Sequence, residues 1–243
     1  RSRAMNTLSV AAPPAATESS GGMTSHRFEP YVDNGGTCIA IAGEDYCIVA
    51  TDTRMSLGYS IVSRNMPKTF QVTSKCILAS CGMQADRNYL QKLLWHLIRN
   101  YEFEHGHEIT TPALAQLLSN RLYYRRFFPL YTFNLLGGLD EEGRGCVYGY
   151  DAVGNTERLT YGCQGSGESL AQVTLDSQIG RKHVLQDGKT LGLRNVPLDE
   201  AIDLIKDVFT SAGERDIYTG DAVKLHIVTK DGVRDEMFPL KRD

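Results

Sequence analysis

The segment NGGTCIAIAGEDYCIVATDTR, residues 34–54, contains the first candidate for covalent chemistry. Thr37 follows a glycine pair, and its hydroxyl could attack a carbonyl if cleavage before it freed an amine to act as the base. Alternatively, the hairpin is a catalytic frame whose reacting group is missing. The rest of the sequence bears on this choice.

Ser166 lies in GCQGSGES, which comes close to two known motifs without matching either. The G-x-S-x-G pattern fails because Gln164 and Glu168 stand where glycines are required. The G-x-G-x-x-G pattern fails because Leu170 replaces its last glycine. Neither motif therefore gives Ser166 a role.

The histidines form no recognisable site in the sequence. His105 and His107 lie with Glu108 in a polar loop that has no cysteine nearby, so a solvated loop is favoured over a metal site. Three others are isolated and are interpreted as surface or packed residues: His96, His183 and His226. We expect neither a metal nor a cofactor.

Composition and charge exclude several classes of protein. The net charge of −3 over 243 residues leaves no basic footprint for nucleic acid, and no apolar run approaches the roughly 20 residues that span a bilayer. The six scattered cysteines include no C-x-x-C motif, which favours free thiols over a disulfide framework. We therefore expect an intracellular protein that binds neither nucleic acid nor membrane.

Residues 1–26 differ from the rest of the chain. They are rich in Ala, Ser, Pro and Gly and show no apolar periodicity, so burial could not offset their ordering entropy. This segment is interpreted as a flexible extension or a propeptide, with an organelle transit peptide as a third interpretation. Residues 27–243 are predicted to form one domain.

The hydrophobic pattern of this domain predicts hairpins and helix pairs in turn. Short apolar and alternating runs predict strands, and 3.6-residue spacing predicts helices. The predicted strands are 37–42, 46–51, 68–72, 76–81, 131–138, 145–151, 157–162, 222–229 and 232–238, and the predicted helices are 84–104, 112–126, 168–179 and 198–212. Because strands and helices do not alternate singly, we expect an α+β fold, a four-layer sandwich of two antiparallel sheets covered by helix pairs.

Four separated pieces of the sequence belong together. They are GGTCIAIAGEDYCIVATDTR, Pro67-Lys68, GSG at 165–167 and ERDIYTGDAVKLHIV at 214–228. In this order and spacing they resemble the β-type subunits of the 20S proteasome, which are N-terminal-nucleophile hydrolases with an αββα fold. The resemblance covers the chain from about Arg27 to its end. The segments RFEPY, RRFFPLYTFNLLGGLDEEGRG and ERDIYTGDA narrow it to one subunit type.

Active members of that family begin with a threonine whose hydroxyl attacks the peptide bond and whose amine is the base. The resemblance implies that the supporting frame is formed here by Asp52, Lys68, Ser166, Asp216 and Thr219. It also implies that the nucleophile position is occupied by Gly36, and that Thr37 matches the residue after it. Glycine has no side chain that could attack.

The geometry of a strand separates Thr37 from this position. Side chains alternate between faces, so an offset of one residue directs Thr37 away from Lys68, and a slip would turn the apolar residues of the strand outward. We therefore expect a non-catalytic subunit. Two alternatives stay open: an active threonine endopeptidase that uses Thr37 after processing, and a stand-alone hydrolase or binding module.

The frame residues also have structural interpretations, which are favoured over residual chemistry. Asp52 and Lys68 could form an ordinary buried ion pair, kept because removing one partner would isolate the other charge. Asp216 and Thr219 could organise the turn in which they lie. Ser166 could cap the helix that follows it.

The resemblance also implies partners and a location. Such a subunit lies in a ring of seven between β5-type and β7-type neighbours, and contacts α-ring subunits and β subunits of the opposite ring. It would form ring interfaces and the wall of a chamber that holds the peptide substrate, in ATP- and ubiquitin-dependent degradation in the cytoplasm and nucleus. Asp140 is expected to contribute to the substrate pocket of a chymotrypsin-like neighbour; the alternative is that DEEGRG is a solvated acidic hairpin.

Overall fold

Fourteen strands and four α-helices follow one another in the computed structural model, which describes residues 28–181, 185–186, 189–190 and 192–243. The strands are β1 (Thr37–Ala42), β2 (Tyr46–Asp52), β3 (Met55–Leu57), β4 (Ser60–Ser63), β5 (Thr69–Thr73), β6 (Cys76–Gly82), β7 (Thr132–Leu139), β8 (Gly145–Tyr150), β9 (Thr156–Leu159), β10 (Tyr161–Gly165), β11 (Leu185–Gln186), β12 (Lys189–Thr190), β13 (Ala222–Thr229) and β14 (Gly232–Pro239). The helices are α1 (Gln84–His105), α2 (Thr111–Tyr124), α3 (Glu168–Leu175) and α4 (Leu198–Gly213). Residues Tyr31–Asp243 form one compact unit, whereas the extension predicted for 1–26, and His183, lie outside the described residues.

Two antiparallel sheets of five strands carry the fold. The first sheet has the order β10-β1-β2-β13-β14, and the second has the order β5-β6-β7-β8-β9. In the first sheet, Thr37 of β1 lies opposite Gly165 of β10, and Cys38 lies opposite Thr51 of β2. This register brings the start of β1 to the ends of β2 and β10, which is where the candidate residues are found.

Three apolar layers join the sheets and the helices. Along β1, Cys38 and Ala40 point into the layer between the two sheets, together with Ala79 of β6. Ile39 and Ile41 point the other way, into the layer beneath α3 and α4. A third layer lies between the second sheet and the pair α1 and α2. The predicted four-layer αββα sandwich of two antiparallel sheets is confirmed.

The structure differs from the predicted elements in several places. The predicted strand 157–162 is two strands, β9 in the second sheet and β10 in the first. The hairpin of β3 and β4 was missed, because strands of three and four residues show too little periodicity. The predicted helix 112–126 ends at Tyr124, where the last turn tightens. The predicted helix 168–179 is α-helical as far as Leu175 and continues as a π-helical turn to Gly180.

Candidate functional site

Gly36 directly precedes β1 and occupies the position that faces Lys68. Its φ of +99° lies in the region that glycine adopts far more easily than other residues. A Cβ atom on Gly36 would stand 2.5 Å from Cε of Lys68 and closer still to its Nζ. A side chain at this position would therefore project at the Lys68 ammonium group, and glycine places no reactive atom there.

Lys68 and Asp52 form a buried ion pair beside Gly36. Nζ of Lys68 donates to Oδ1 of Asp52 over 2.6 Å, and the two side chains are 1% and 0% exposed. Asp52 also accepts hydrogen bonds from the backbone N–H groups of Thr37 (2.9 Å) and Arg54 (3.2 Å). Burial raises the pKa of Asp52, against the opposite effects of Lys68 and of these backbone donors. Groups of the chain itself thus bind both oxygens of the carboxylate.

The hydroxyl of Thr37 is engaged elsewhere in the site. Its Oγ1 lies 2.6 Å from Oγ1 of Thr219 and accepts a hydrogen bond from the N–H of Gly167 over 3.0 Å. Thr37 is completely buried, and a Cβ atom on Gly167 would stand 2.6 Å from the hydroxyl. The hydroxyl is therefore packed against the loop at 165–167, whereas the preceding position faces Lys68.

Asp216 joins Ser166 and Thr219 into one hydrogen-bonded group. Both hydroxyls donate to Oδ2 of Asp216 over 2.6 Å, and Oδ1 accepts from the N–H of Tyr218 over 3.0 Å. Asp216 and Thr219 thus organise this turn, as the structural interpretation expects. The interpretation of Ser166 as a helix cap is wrong, because α3 has Gly167 at its N-cap without a side-chain hydrogen bond and the serine hydroxyl binds Asp216 instead.

The backbone before Thr37 is held by the same loop. The N–H of Ser166 donates to the carbonyl oxygen of Gly36 over 3.0 Å. Gly165 has a φ of +105°, and a Cβ atom there would collide with that oxygen. The backbone at Gly36 is therefore held in one conformation, and Gly165 allows the loop to approach its carbonyl oxygen.

Comparisons with known proteins identify the family to which the chain belongs. The family described as Proteasome subunit matches residues 32–228 of the chain. The chain belongs to the proteasome subunit family. Proteasome subunit beta type-1 of Arabidopsis thaliana is 52% identical over 220 residues, which are 89% of this chain and 97% of the relative.

Other relatives in this family agree with the subunit type that the sequence segments resemble, the eukaryotic β6 subunit, which is also called beta type-1. Proteasome subunit beta type-1 of Dictyostelium discoideum is 49% identical over 242 residues, 98% of this chain and 100% of the relative. Proteasome subunit beta type-6 of Saccharomyces cerevisiae is 40% identical over 234 residues, 94% of this chain and 97% of the relative. The resemblance to β-type proteasome subunits is confirmed, and membership of the family implies assembly with other proteasome subunits.

Asp140 lies at the β7–β8 turn of this proteasome subunit with its carboxylate directed into the chain. Oδ1 accepts from the N–H of Arg144 over 2.8 Å, and Oδ2 accepts from Arg158 over 3.0 Å. The side chain is 4% exposed, so a solvated acid describes Glu141 and Glu142 but not Asp140. Its contribution to a neighbour's pocket stays a prediction, which now concerns the shape of the turn rather than a free charge.

A small cleft beside Lys68 contains a residue that the sequence analysis missed. The cleft has a volume of about 30 Å³ and is lined in part by Ser80 and Arg87. Arg87 is 6% exposed, and its guanidinium donates to the carbonyl oxygen of Ser80 over 2.9 Å. The sequence did carry a signal, because Arg87 stands three and seven residues before Leu90 and Leu94, on the buried face of α1. Charged side chains are rarely buried without a specific partner.

His226 has partners that its sequence neighbours do not reveal. Its Nε2 lies 2.7 Å from Oγ1 of Thr69, and its Nδ1 lies 2.6 Å from Oδ1 of Asp235. Burial lowers the pKa of His226, against the raising effect of Asp235. The packed interpretation is confirmed, since the buried ring connects β5 of the second sheet to β14 of the first.

The part of the chain that the structure describes contains neither a metal cluster nor a spanning helix. Across residues 28–181 and 192–243, no three His, Cys, Asp or Glu side chains gather closely enough to hold a metal ion. Among the described helices, none combines the length and the apolar character that crossing a membrane requires. All six cysteines lie in the described ranges as buried free thiols.

Proposed function

We propose that this chain is a non-catalytic β subunit of the 20S proteasome core particle. The observation that carries the proposal is that a glycine, Gly36, faces the buried pair of Lys68 and Asp52. A hydroxyl nucleophile needs an atom at this position, within reach of its base and of the lysine. The supporting frame is complete and the group that it would support is missing.

The conformation of Gly36 strengthens this proposal. A residue with a Cβ atom would have to adopt a φ of +99° and displace the Lys68 side chain. Holding a residue other than glycine in such a backbone region costs about 1–3 kcal/mol of conformational free energy. The backbone conformation at position 36 and the placement of Lys68 therefore both require glycine.

An active threonine endopeptidase that uses Thr37 is the second candidate, and the geometry favours it less. Cleavage before Thr37 would leave an amine beside Asp52, because the Thr37 N–H already donates to that carboxylate over 2.9 Å. The hydroxyl, however, is buried and hydrogen-bonded to Thr219. A substrate carbonyl could reach it only after the loop at 165–167 had opened.

The proposed role is architectural. A member of a closed ring of different subunits needs two complementary faces, one for each neighbour. We propose β5-type and β7-type neighbours within the ring, α-ring subunits above and β subunits of the opposite ring below. The chain would form interfaces and chamber wall around the peptide substrate, in degradation that depends on ATP and ubiquitin. Membership of the proteasome subunit family supports this assembly.

The proposed location is the cytoplasm and the nucleus. The support is chemical, since all six cysteines are free thiols in the core and reducing compartments keep thiols in that state. A support role for a neighbouring active site, through the hairpin that contains Asp140, is part of the same proposal.

The test removes the Thr37 hydroxyl from the assembled particle. In Thr37→Val particles we expect every class of peptide to be hydrolysed at the parent rate per particle, because the hydroxyl does no chemistry. Thr219→Val is the matched control, since it breaks the same hydrogen bond from the other side. Loss of one peptidase activity with Thr37→Val, but not with Thr219→Val, would show that Thr37 is a nucleophile.

A further inference from the structure

Cys38 and Cys81 bring two thiols into contact across the space between the sheets. Cys38 lies in β1 of the first sheet, and Cys81 lies in β6 of the second, 43 positions later in the chain. Their Sγ atoms are 2.7 Å apart. Non-bonded carbon atoms settle at about 3.5–4.0 Å, so these larger sulfur atoms are closer than ordinary packing places them.

The surroundings of this pair favour a sulfur–sulfur contact over other uses of the thiols. Cys38 is 0% and Cys81 is 1% exposed, in the apolar layer between the two sheets. Cys81 also approaches the carbonyl oxygen of Gln164 at 3.9 Å, whereas the described partners of two other buried thiols are carbonyl oxygens. Sγ of Cys47 contacts the carbonyl oxygen of Cys146, and Sγ of Cys146 contacts that of Gly138. The Cys38–Cys81 contact therefore does not follow from cysteine burial alone.

We propose that Cys38 and Cys81 form a reversible disulfide that links the two sheets when the protein is exposed to hydrogen peroxide. The sulfur atoms must approach from 2.7 Å to the bonded distance of about 2.0 Å. The sulfur atoms therefore have to move closer by roughly 0.7 Å. Intracellular disulfides of this kind are typically transient and redox-sensing.

The reaction is a balanced two-electron oxidation. One thiol attacks a peroxide oxygen, becomes a sulfenic acid and releases a molecule of water. The second thiol attacks that sulfur and displaces its hydroxyl as a second water, which forms the sulfur–sulfur bond. Both sulfur atoms are oxidised, the peroxide is reduced, and the two thiol protons leave in the water. A reducing dithiol reverses the linkage by exchange.

The position of the pair determines what the disulfide would do. Cys38 directly follows Thr37, and Sγ of Cys81 stands 3.1 Å from where a Cβ atom on Gly165 would lie. The bond would therefore fix β1 against β6 immediately beneath the candidate site. Burial raises the pKa of Cys38, so the reactive thiolate is scarce and oxidation depends on transient opening of the fold.

The test maps the disulfides of the full-length chain. The chain is treated with a small excess of hydrogen peroxide, denatured in an alkylating reagent, digested without reduction and analysed by mass spectrometry. We expect a linked pair of peptides that contain Cys38 and Cys81, and dithiothreitol should separate them. We also expect the thermal unfolding midpoint of the oxidised chain to rise by about 5–10 °C.

Two variants separate this disulfide from general oxidation. Cys47→Ala removes a thiol from the same layer and should keep both the linked peptides and the rise in midpoint. Cys81→Ala should lose both. The parent chain alone can overturn the proposal. It does so if, after treatment, Cys38 and Cys81 are both alkylated, or if either is linked to a different cysteine.

Discussion

Two buried ion pairs lie side by side at the end of β2, and their surroundings differ. Arg54 donates through Nε to Asp221 over 2.9 Å, and its other nitrogens donate to the carbonyl oxygens of Ile217 and Asp243. This guanidinium ties the end of β2 to the loop before β13 and to the last residue of the chain. Its hydrogen bonds hold together segments that are distant in sequence.

In the Lys68–Asp52 pair, the carboxylate also joins separate segments, because it accepts from the N–H groups of Thr37 and Gly220. The cation differs more, since among the described residues the Lys68 ammonium group donates only to Asp52, over 2.6 Å, and faces the backbone of Gly36. A contribution to stability is sufficient to explain the Arg54 network, because each nitrogen of the guanidinium binds a different segment of the chain. The Lys68 charge lies instead in front of Gly36, the position that our proposal assigns to the missing nucleophile. The comparison shows that a buried ion pair can point to function when one of its charges faces a glycine and holds no other segment in place.

Removing Asp221 should have the largest effect on stability. Burial raises the pKa of this carboxyl, but the hydrogen bonds from Arg54 and Arg64 outweigh it and hold the pKa below its usual range. Asp221→Ala removes the buried counterion of the Arg54 guanidinium and leaves it only the half-exposed carboxylate of Asp243, 3.7 Å away. We expect a loss of about 3–5 kcal/mol in the free energy of unfolding, measured by urea denaturation of the full-length chain.

Asp203→Ala is the control for that measurement. Asp203 is 76% exposed and pairs with Lys206 on the surface of α4, so its removal should cost less than about 1 kcal/mol. Equal losses in the two variants would contradict a structural role for the Arg54–Asp221 pair.

The second prediction separates the Lys68–Asp52 pair from the Arg54 network. Lys68→Met should destabilise the chain by about 2–4 kcal/mol, because Asp52 keeps its backbone donors but loses its counterion. The double variant Lys68→Met/Asp52→Asn should recover at least half of that loss, since neither charge is left alone. If the double variant is as unstable as the single one, the pair is as structural as the Arg54 network and the contrast between them fails.

The third prediction tests whether the backbone is built around glycine at position 36. Gly36→Ala should destabilise the chain by about 2–3 kcal/mol, through its positive φ and through displacement of Lys68. Gly58→Ala is the matched control, because its φ is +56° with no atom within 4 Å of a new Cβ, and it should cost about 1 kcal/mol. Equal costs would mean that Lys68 does not occupy the space in front of Gly36.

The smallest effect is expected at the β7–β8 turn. Asp140→Ala removes the acceptor of the Arg144 and Arg158 hydrogen bonds and should change the shape of the turn. We expect altered kcat/KM ratios among peptides cleaved by a chymotrypsin-like neighbour, with assembly intact. Glu142→Ala, at an exposed residue of the same turn, should leave the ratios at their parent values. Unchanged ratios for both variants would remove Asp140 from the proposed support role.

Much of the fold and the central feature of the site could be predicted from the sequence. Periodicity and turn residues define most of the hairpins and the helix pairs, and the resemblance to the family assigns the nucleophile position to Gly36. Since side chains alternate along a strand, Thr37 points to the opposite face from that position. Secondary structure and the alternation of side chains depend on residues that are close together in the sequence, so both can be predicted from it.

The partners of individual side chains could not be predicted in this way. The hydroxyls of Thr37 and Thr219 meet across 182 positions, and Thr69 meets His226 across 157. The binding of Ser166 to Asp216, across 50 positions, likewise replaced the helix cap expected from its neighbours. Such contacts depend on which strands lie side by side, and that is known only once both sheets are assembled.

The most direct test of the central claim is the covalent state of this chain after purification from the assembled particle. The particle is exposed to an inhibitor that bonds to catalytic threonines, and the chain is then analysed by intact mass and N-terminal sequencing. A non-catalytic subunit predicts an N-terminus upstream of Gly36 and no inhibitor adduct. An N-terminus at Thr37 that carries an adduct would contradict the claim and identify the chain as a protease.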